Sequence, residues 1–262
     1  MNESILFALL GTGFTAMMTA LGSGMVFLLG KGCTPFFHRL LLGFAGGVMI
    51  SASVFSLLNP AMEQAESLGQ IPWIPAVGGS SLGIAFLMSM DWILPKWMDK
   101  FSSSDKTGEI TPKNILLVLA VVLHNIPEGI AVAISCAVAA QSGEPSHIAA
   151  AMALALGVGI QNFPEGAAIS LPLHQQGMKK GMAFTMGAIS GFMEPIFGVM
   201  TVLALGAVSE FLPWLLSFAA GAMLYVVVEE LIPEANLNRK YHSGTLGVLG
   251  GFLLMMILNT SF

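Results

Sequence analysis

The chain has 262 residues, of which 55% are hydrophobic and 10% charged, with a mean hydropathy of +0.80. Those values exclude the soluble globular classes and leave a polytopic protein whose solvent is the lipid bilayer. At a net charge of -5 there is no basic surface for nucleic acid, and no glycine-rich phosphate loop for a nucleotide.

A membrane span needs about 20 apolar residues, and eight segments meet or approach that length: 5–29, 40–58, 71–94, 115–140, 148–173, 182–208, 212–232 and 245–258. The pattern predicts an all-α polytopic membrane protein, a single domain of eight transmembrane helices over residues 1–262. The first segment is long enough to span and lacks the basic leader of a secretory signal. The first three spans are rich in Gly, Ala, Ser and Met, as expected where helices approach closely without a hydrophobic drive between them. Asp91, with Trp92 and Trp97, falls at the end of span 3, where an interfacial aromatic belt and a snorkelling carboxylate account for it. The connection over about 96–113, with its FSSSDKTGE core, reads as a flexible loop. Cys33 falls in a loop and Cys136 inside a helix, which gives no disulfide framework and makes Cys136 a small core filler.

All ten basic residues fall in alternate connections: Lys31 and Arg39; Lys96, Lys100, Lys106 and Lys113; Lys179 and Lys180; Arg239 and Lys240. The positive-inside rule makes that side the cytoplasm of a cell inner membrane and puts both termini outside. The opposite connections carry Glu3, Glu63, Glu66, Glu144 and Glu210 and no base, so the outer face attracts cations.

Spans 4 and 5 carry the chemistry. His124-Asn125-Ile126-Pro127-Glu128-Gly129 returns 37 positions on as Gln161-Asn162-Phe163-Pro164-Glu165-Gly166. An ionisable side chain at the centre of a membrane helix costs about 2.5 to 3.5 kcal/mol, so such residues mark a function. His124 and Glu128 are four apart, as are Gln161 and Glu165, so each pair shares one helix face. The proline between them has no N–H to return to the carbonyls of Leu123 and Ile160, and the glycine that follows lets a neighbouring helix come close. Imidazole, amide and carboxylate together suit borderline divalent metals such as zinc, ferrous iron, manganese and cobalt. Consecutive spans run antiparallel, so the two copies meet head to tail, as in an inverted repeat with its binding site near the midplane. At 1.5 Å per residue, His124 lies about 14 Å and Gln161 about 20 Å into its span.

Span 6 adds Glu194, with Ser190 one turn before it. Glu229, Glu230 and Glu234 close span 7 at the basic face, either as an exit path for an ion or as solvated interfacial groups. His147, His174 and His242 stand at span ends as ordinary polar residues, His174 being the one placed to relay an ion on the cytoplasmic side.

HNIPEG followed by QNFPEG on consecutive membrane helices resembles the ZIP (Zrt-, Irt-like protein) family of divalent metal transporters, and the Gln heading the second copy looks like its GufA-like bacterial branch. The SGFMEP segment (190–195) and the VVEELIPEA segment ending at Ala235 extend the resemblance to spans 6 and 7. The resemblance implies zinc uptake into the cytoplasm through a midplane site on spans 4, 5 and 6, with Glu194 beside the paired motif. It also implies Met49 or Ser53 on the metal path, a homodimer, and a rocking or elevator movement of the bundle holding spans 1, 4, 5 and 6. The metal is cargo, and no resident cofactor is expected. Charge balance over Glu128, Glu165 and Glu194 favours one tight ion on His124, Glu128, Gln161 and Glu165, with a weaker second near Asn125, Asn162 and Glu194. An intramembrane metalloprotease would need a general base beside zinc, as in H-E-x-x-H, which is absent. A proton-coupled carrier for another solute could use the same carboxylates as a relay.

Overall fold

The computed structural model describes residues 2–29, 34–101, 112–205, 209–235 and 242–261. Eight helices are long and apolar enough to cross a membrane, and the described residues form no strand. The spans are Glu3–Leu28, Pro35–Ser67, Trp73–Ile93, Val121–Ser142, Pro145–Gln175, Lys180–Ala204, Leu212–Glu234 and Ser243–Ser261, numbered 1 to 8 below.

Two boundaries differ from the hydropathy reading for a backbone reason. Span 2 does not stop at 58. Its residues Ala52–Leu58 widen into a π-helical turn in which the Asn59 N–H bonds the Val54 carbonyl. Pro60 has no N–H to offer, and the widened turn lets the helix continue through it to Ser67. Glu63 and Glu66 are therefore exposed on a helix rather than in a loop. Span 7 repeats the device, with Val227–Leu231 widened just before Pro233. The helix of span 3 continues to Phe101 and that of span 4 begins at Pro112. Helix thus takes up both ends of the expected 96–113 loop, and the remainder lies outside the described residues.

The helices sort into two groups of four. Span 1 packs along spans 4, 5 and 6, which also pack on one another; span 8 lies along span 2, and span 3 along span 7. The groups meet mainly where span 5 touches span 2 and span 4 touches span 7. Gly43 and Gly47 on span 2 face Gly247 and Gly251 on span 8, and a methyl group at any of them would run into the partner helix's backbone. Such small-xxx-small pairing is how membrane helices gain close packing where burial from lipid contributes little. Cys136 is buried in the core, as expected of a small filler, while Cys33 lies outside the described residues.

Asp91, two residues from the end of span 3, accepts a hydrogen bond from the Tyr225 hydroxyl at 2.8 Å, tying span 3 to span 7. The aromatic-belt reading does suit exposed Trp92, whose ring lies 3.1 Å beneath the Lys96 ammonium.

Candidate metal centre

The helical register turns the described polar residues of both motif copies inward. Asn125, Glu128, Gln161 and Asn162 are all buried, as is Glu194 on span 6. Pro127, Pro164 and Pro195 sit inside continuous helices at this level, each freeing an upstream carbonyl. The glycines after the motif glutamates do what their position suggested. A methyl group at Gly129 would meet the Glu194 backbone at 2.5 Å, and one at Gly166 would collide with the Thr19 carbonyl on span 1. Spans 4 and 6, and spans 5 and 1, therefore touch backbone to backbone beside the polar cluster.

Within the cluster the side chains form one continuous chain. Gln161 Nε2 donates to Glu128 Oε1 at 2.7 Å and to Asn162 Oδ1 at 2.7 Å. Asn162 Nδ2 donates to Glu194 Oε1 at 2.7 Å and to the Thr15 carbonyl at 3.3 Å. The Thr15 hydroxyl donates to Glu194 Oε2. With a carboxylate accepting at each end, both amides have a fixed sense and both hydrogens of each are engaged. Gln161 is left with a single free group, its oxygen.

Four buried oxygens of the two motif copies have no partner among the described residues, Glu128 Oε2, Gln161 Oε1, Glu165 Oε1 and Asn125 Oδ1, and the Asn125 amide nitrogen has none either. A buried polar atom without a partner costs about 1–3 kcal/mol. Oxygens from two carboxylates and two amides match the chemistry of a hard or borderline divalent cation. The backbone of His124 is helical one turn before Glu128, and its side chain lies outside the described residues. Among the described residues no three His, Cys, Asp or Glu side chains are gathered closely enough to hold a metal ion. The donors offered here are thus carboxylate and amide oxygens in combination.

Glu128, Gln161 and Glu165 line one wall of a cavity of about 160 Å³ that continues past Met49, Ile169 and Pro172 to Glu230 and Glu234. It therefore leads from the motif to the ends of spans 5 and 7, where the basic connections lie. Toward the other face, Ala131, Val132, Ile134, Leu154 and Val158 close spans 4 and 5 with apolar packing.

Of the residues singled out from sequence, Glu128, Gln161, Asn162 and Glu194 are joined by hydrogen bonds, and Glu165 shares the cavity with Glu128 and Gln161. Met49 lines that cavity, whereas Ser53 is buried and donates to the Met49 carbonyl at 2.8 Å. Glu230 and Glu234 line its far end, and Glu229 is exposed. Ser190 bonds the Gly187 carbonyl on its own helix at 2.7 Å. His174 Nδ1 is held by the Met178 carbonyl at 2.8 Å, and His147 Nδ1 pairs with the Ser142 hydroxyl at 2.8 Å, consistent with ordinary span-end residues.

Sequence reasoning missed Thr15. Its signal was present in the spacing: Thr12, Thr15, Thr19 and Ser23 recur every three or four residues, and all four hydroxyl residues are buried on span 1, which packs along spans 4, 5 and 6.

A profile of the family described as "ZIP Zinc transporter" matches residues 102–259. The chain is 33% identical to "Zinc transporter ZIP11" of Xenopus tropicalis, with 97% of each chain covered. It is 34% identical to "Zinc transporter GufA" of Myxococcus xanthus over 84% of this chain and 85% of that one. It is also 33% identical to "Zinc transporter ZIPB" of Bordetella bronchiseptica over 97% of this chain and 81% of that one.

Proposed function

The chain belongs to the ZIP zinc transporter family, and from that premise we propose that it carries zinc from the outside into the cytoplasm through the buried centre on spans 4, 5 and 6. It is a multi-pass membrane transporter of divalent metal and not an enzyme. The ion is held by His124, Glu128, Gln161 and Glu165, with Asn125, Asn162 and Glu194 completing the polar surround. The observation that carries this reading is the set of unpartnered buried oxygens on Glu128, Gln161 and Glu165 at the head of the cavity. A divalent cation supplies the missing partner to all three at once.

The basic connections mark the cytoplasm of an inner membrane, with both termini outside. The cavity then corresponds to an inward-facing state, sealed toward the outside by apolar packing of spans 4 and 5. Glu230 and Glu234 receive the ion on its way out. The separation of spans 1, 4, 5 and 6 from spans 2, 3, 7 and 8 supports a rocking or elevator movement of one group against the other. The single eight-helix domain works as a homodimer.

Uptake of zinc into proteoliposomes, with iron, manganese, cobalt or cadmium as competitors, tests this reading. Saturable zinc entry reduced by the other divalent ions is expected. A protein that admits no divalent metal, yet moves protons or another solute, would contradict it.

A further inference from the structure

Glu194 is the one carboxylate of the cluster with both oxygens engaged among the described residues, Oε1 by Asn162 and Oε2 by Thr15. It does not line the cavity, while Glu128 and Glu165 do. We propose that Thr15 of span 1 is a positioning residue for metal binding, fixing the Glu194 carboxylate that anchors the amide chain.

The Thr15 hydroxyl fixes one Glu194 oxygen, leaving the other to take the Asn162 amide. The Thr15 carbonyl takes the second Asn162 hydrogen at 3.3 Å, so the same residue grips both members of that pair. Asn162 is thereby held with its oxygen toward Gln161, and Gln161 must direct both hydrogens to Asn162 and Glu128. What remains at the cavity is the Gln161 oxygen and the second Glu128 oxygen, both unpartnered. Without the hydroxyl, Glu194 loses one of its two hydroxyl partners on span 1, Thr19 being the other, and its carboxylate is freer to compete for the Asn162 and Gln161 amides, turning acceptors away from the ion. The Thr12 carbonyl, 2.9 Å from the same hydroxyl, is a second acceptor for its one hydrogen and the place to which that hydrogen turns when Glu194 does not take it. Partners behind metal ligands that fix their orientation change metal affinity by about 10–100-fold when removed.

This inference rests on the reading that the ion binds at Glu128, Gln161 and Glu165, so the test includes a variant of that reading. Zinc affinity of the purified full-length protein is measured by calorimetry, and KM and maximal rate by proteoliposome uptake, for the wild type, Thr15→Val, Thr15→Ser, Thr12→Val and Glu128→Ala. Thr15→Val should bind zinc about 10–100-fold more weakly and raise KM while keeping the maximal rate. Thr15→Ser, which keeps the hydroxyl, should restore binding. Thr12→Val, whose hydroxyl donates only to the Ala8 carbonyl at 2.7 Å, should match the wild type. If Thr15→Val does not fold, Thr15→Ala removes the same hydroxyl with less bulk and is read the same way. Wild-type affinity in the hydroxyl-free variant, with binding lost in Glu128→Ala, overturns this inference alone. Equal weakening in Thr12→Val, or no rescue by Thr15→Ser, reduces Thr15 to packing and overturns it too. Unchanged binding in Glu128→Ala overturns the site reading and this inference with it.

Discussion

Asn162 donates to the Glu194 carboxylate at 2.7 Å, joining span 5 to span 6 at the level of the paired motif. An aspartate at 162 would lose both amide hydrogens and face Glu194 as a second acceptor, which only a cation between them can reconcile. Asn162→Asp should therefore lower the thermal midpoint of the metal-free protein, at a cost of about 1–3 kcal/mol. Calorimetry should in turn count a second zinc, on Asp and Glu194, that the wild type binds weakly. An unaltered midpoint together with an unaltered zinc count would show that this pair does not govern the second ion.

The contact of Gly129 with the Glu194 backbone leaves no room for a side chain. Gly129→Ala should destabilise the protein by about 1–3 kcal/mol, as overpacking does, and reduce zinc uptake by moving span 4 against span 6. Gly13→Ala is the matched control, because a methyl group there meets nothing within 4 Å. Thermal unfolding in detergent checks both variants, and equal midpoints would show that the two helices yield at this point.

Tyr225 and Asp91 tie spans 3 and 7 in the group of helices away from the metal centre. Tyr225→Phe removes a hydrogen bond to a carboxylate and should lower stability by about 1.5–3 kcal/mol. Zinc affinity should stay at the wild-type value, since the Tyr225 hydroxyl is engaged by Asp91 and not by a residue of the motif. A weakened affinity with unchanged stability would place this pair in the metal path instead.

Cys33 belongs to the first basic connection and lies outside the described residues. In a Cys136→Ala variant, a membrane-impermeant thiol reagent should label it from the cytoplasmic side only. Labelling in intact cells would mean that the basic face points outward.

The number of spans and the paired motif were legible because both are local signals: apolar length for the first, four-residue spacing for the second. The end of span 2 was not, because hydropathy sees Pro60, Glu63 and Glu66 as a boundary, whereas one π-helical turn carries the helix past the proline. The hydrogen bond of Asp91 was not legible either, because its partner Tyr225 is 134 positions away, a relation that no periodicity reports. Glu194 could be placed beside the site by its cost in a membrane and by resemblance. Its engagement by Thr15 and Asn162 required the packing of span 1 into the seam of spans 5 and 6.

The central claim is that Glu128 and Glu165 hold the transported ion. Zinc uptake into proteoliposomes by Glu128→Ala and Glu165→Ala, each reconstituted at the same density as the wild type and checked for an unchanged helical signal, tests it most directly. The account predicts that saturable uptake is lost in both variants while the protein stays folded and inserted. Wild-type uptake by either one would contradict it.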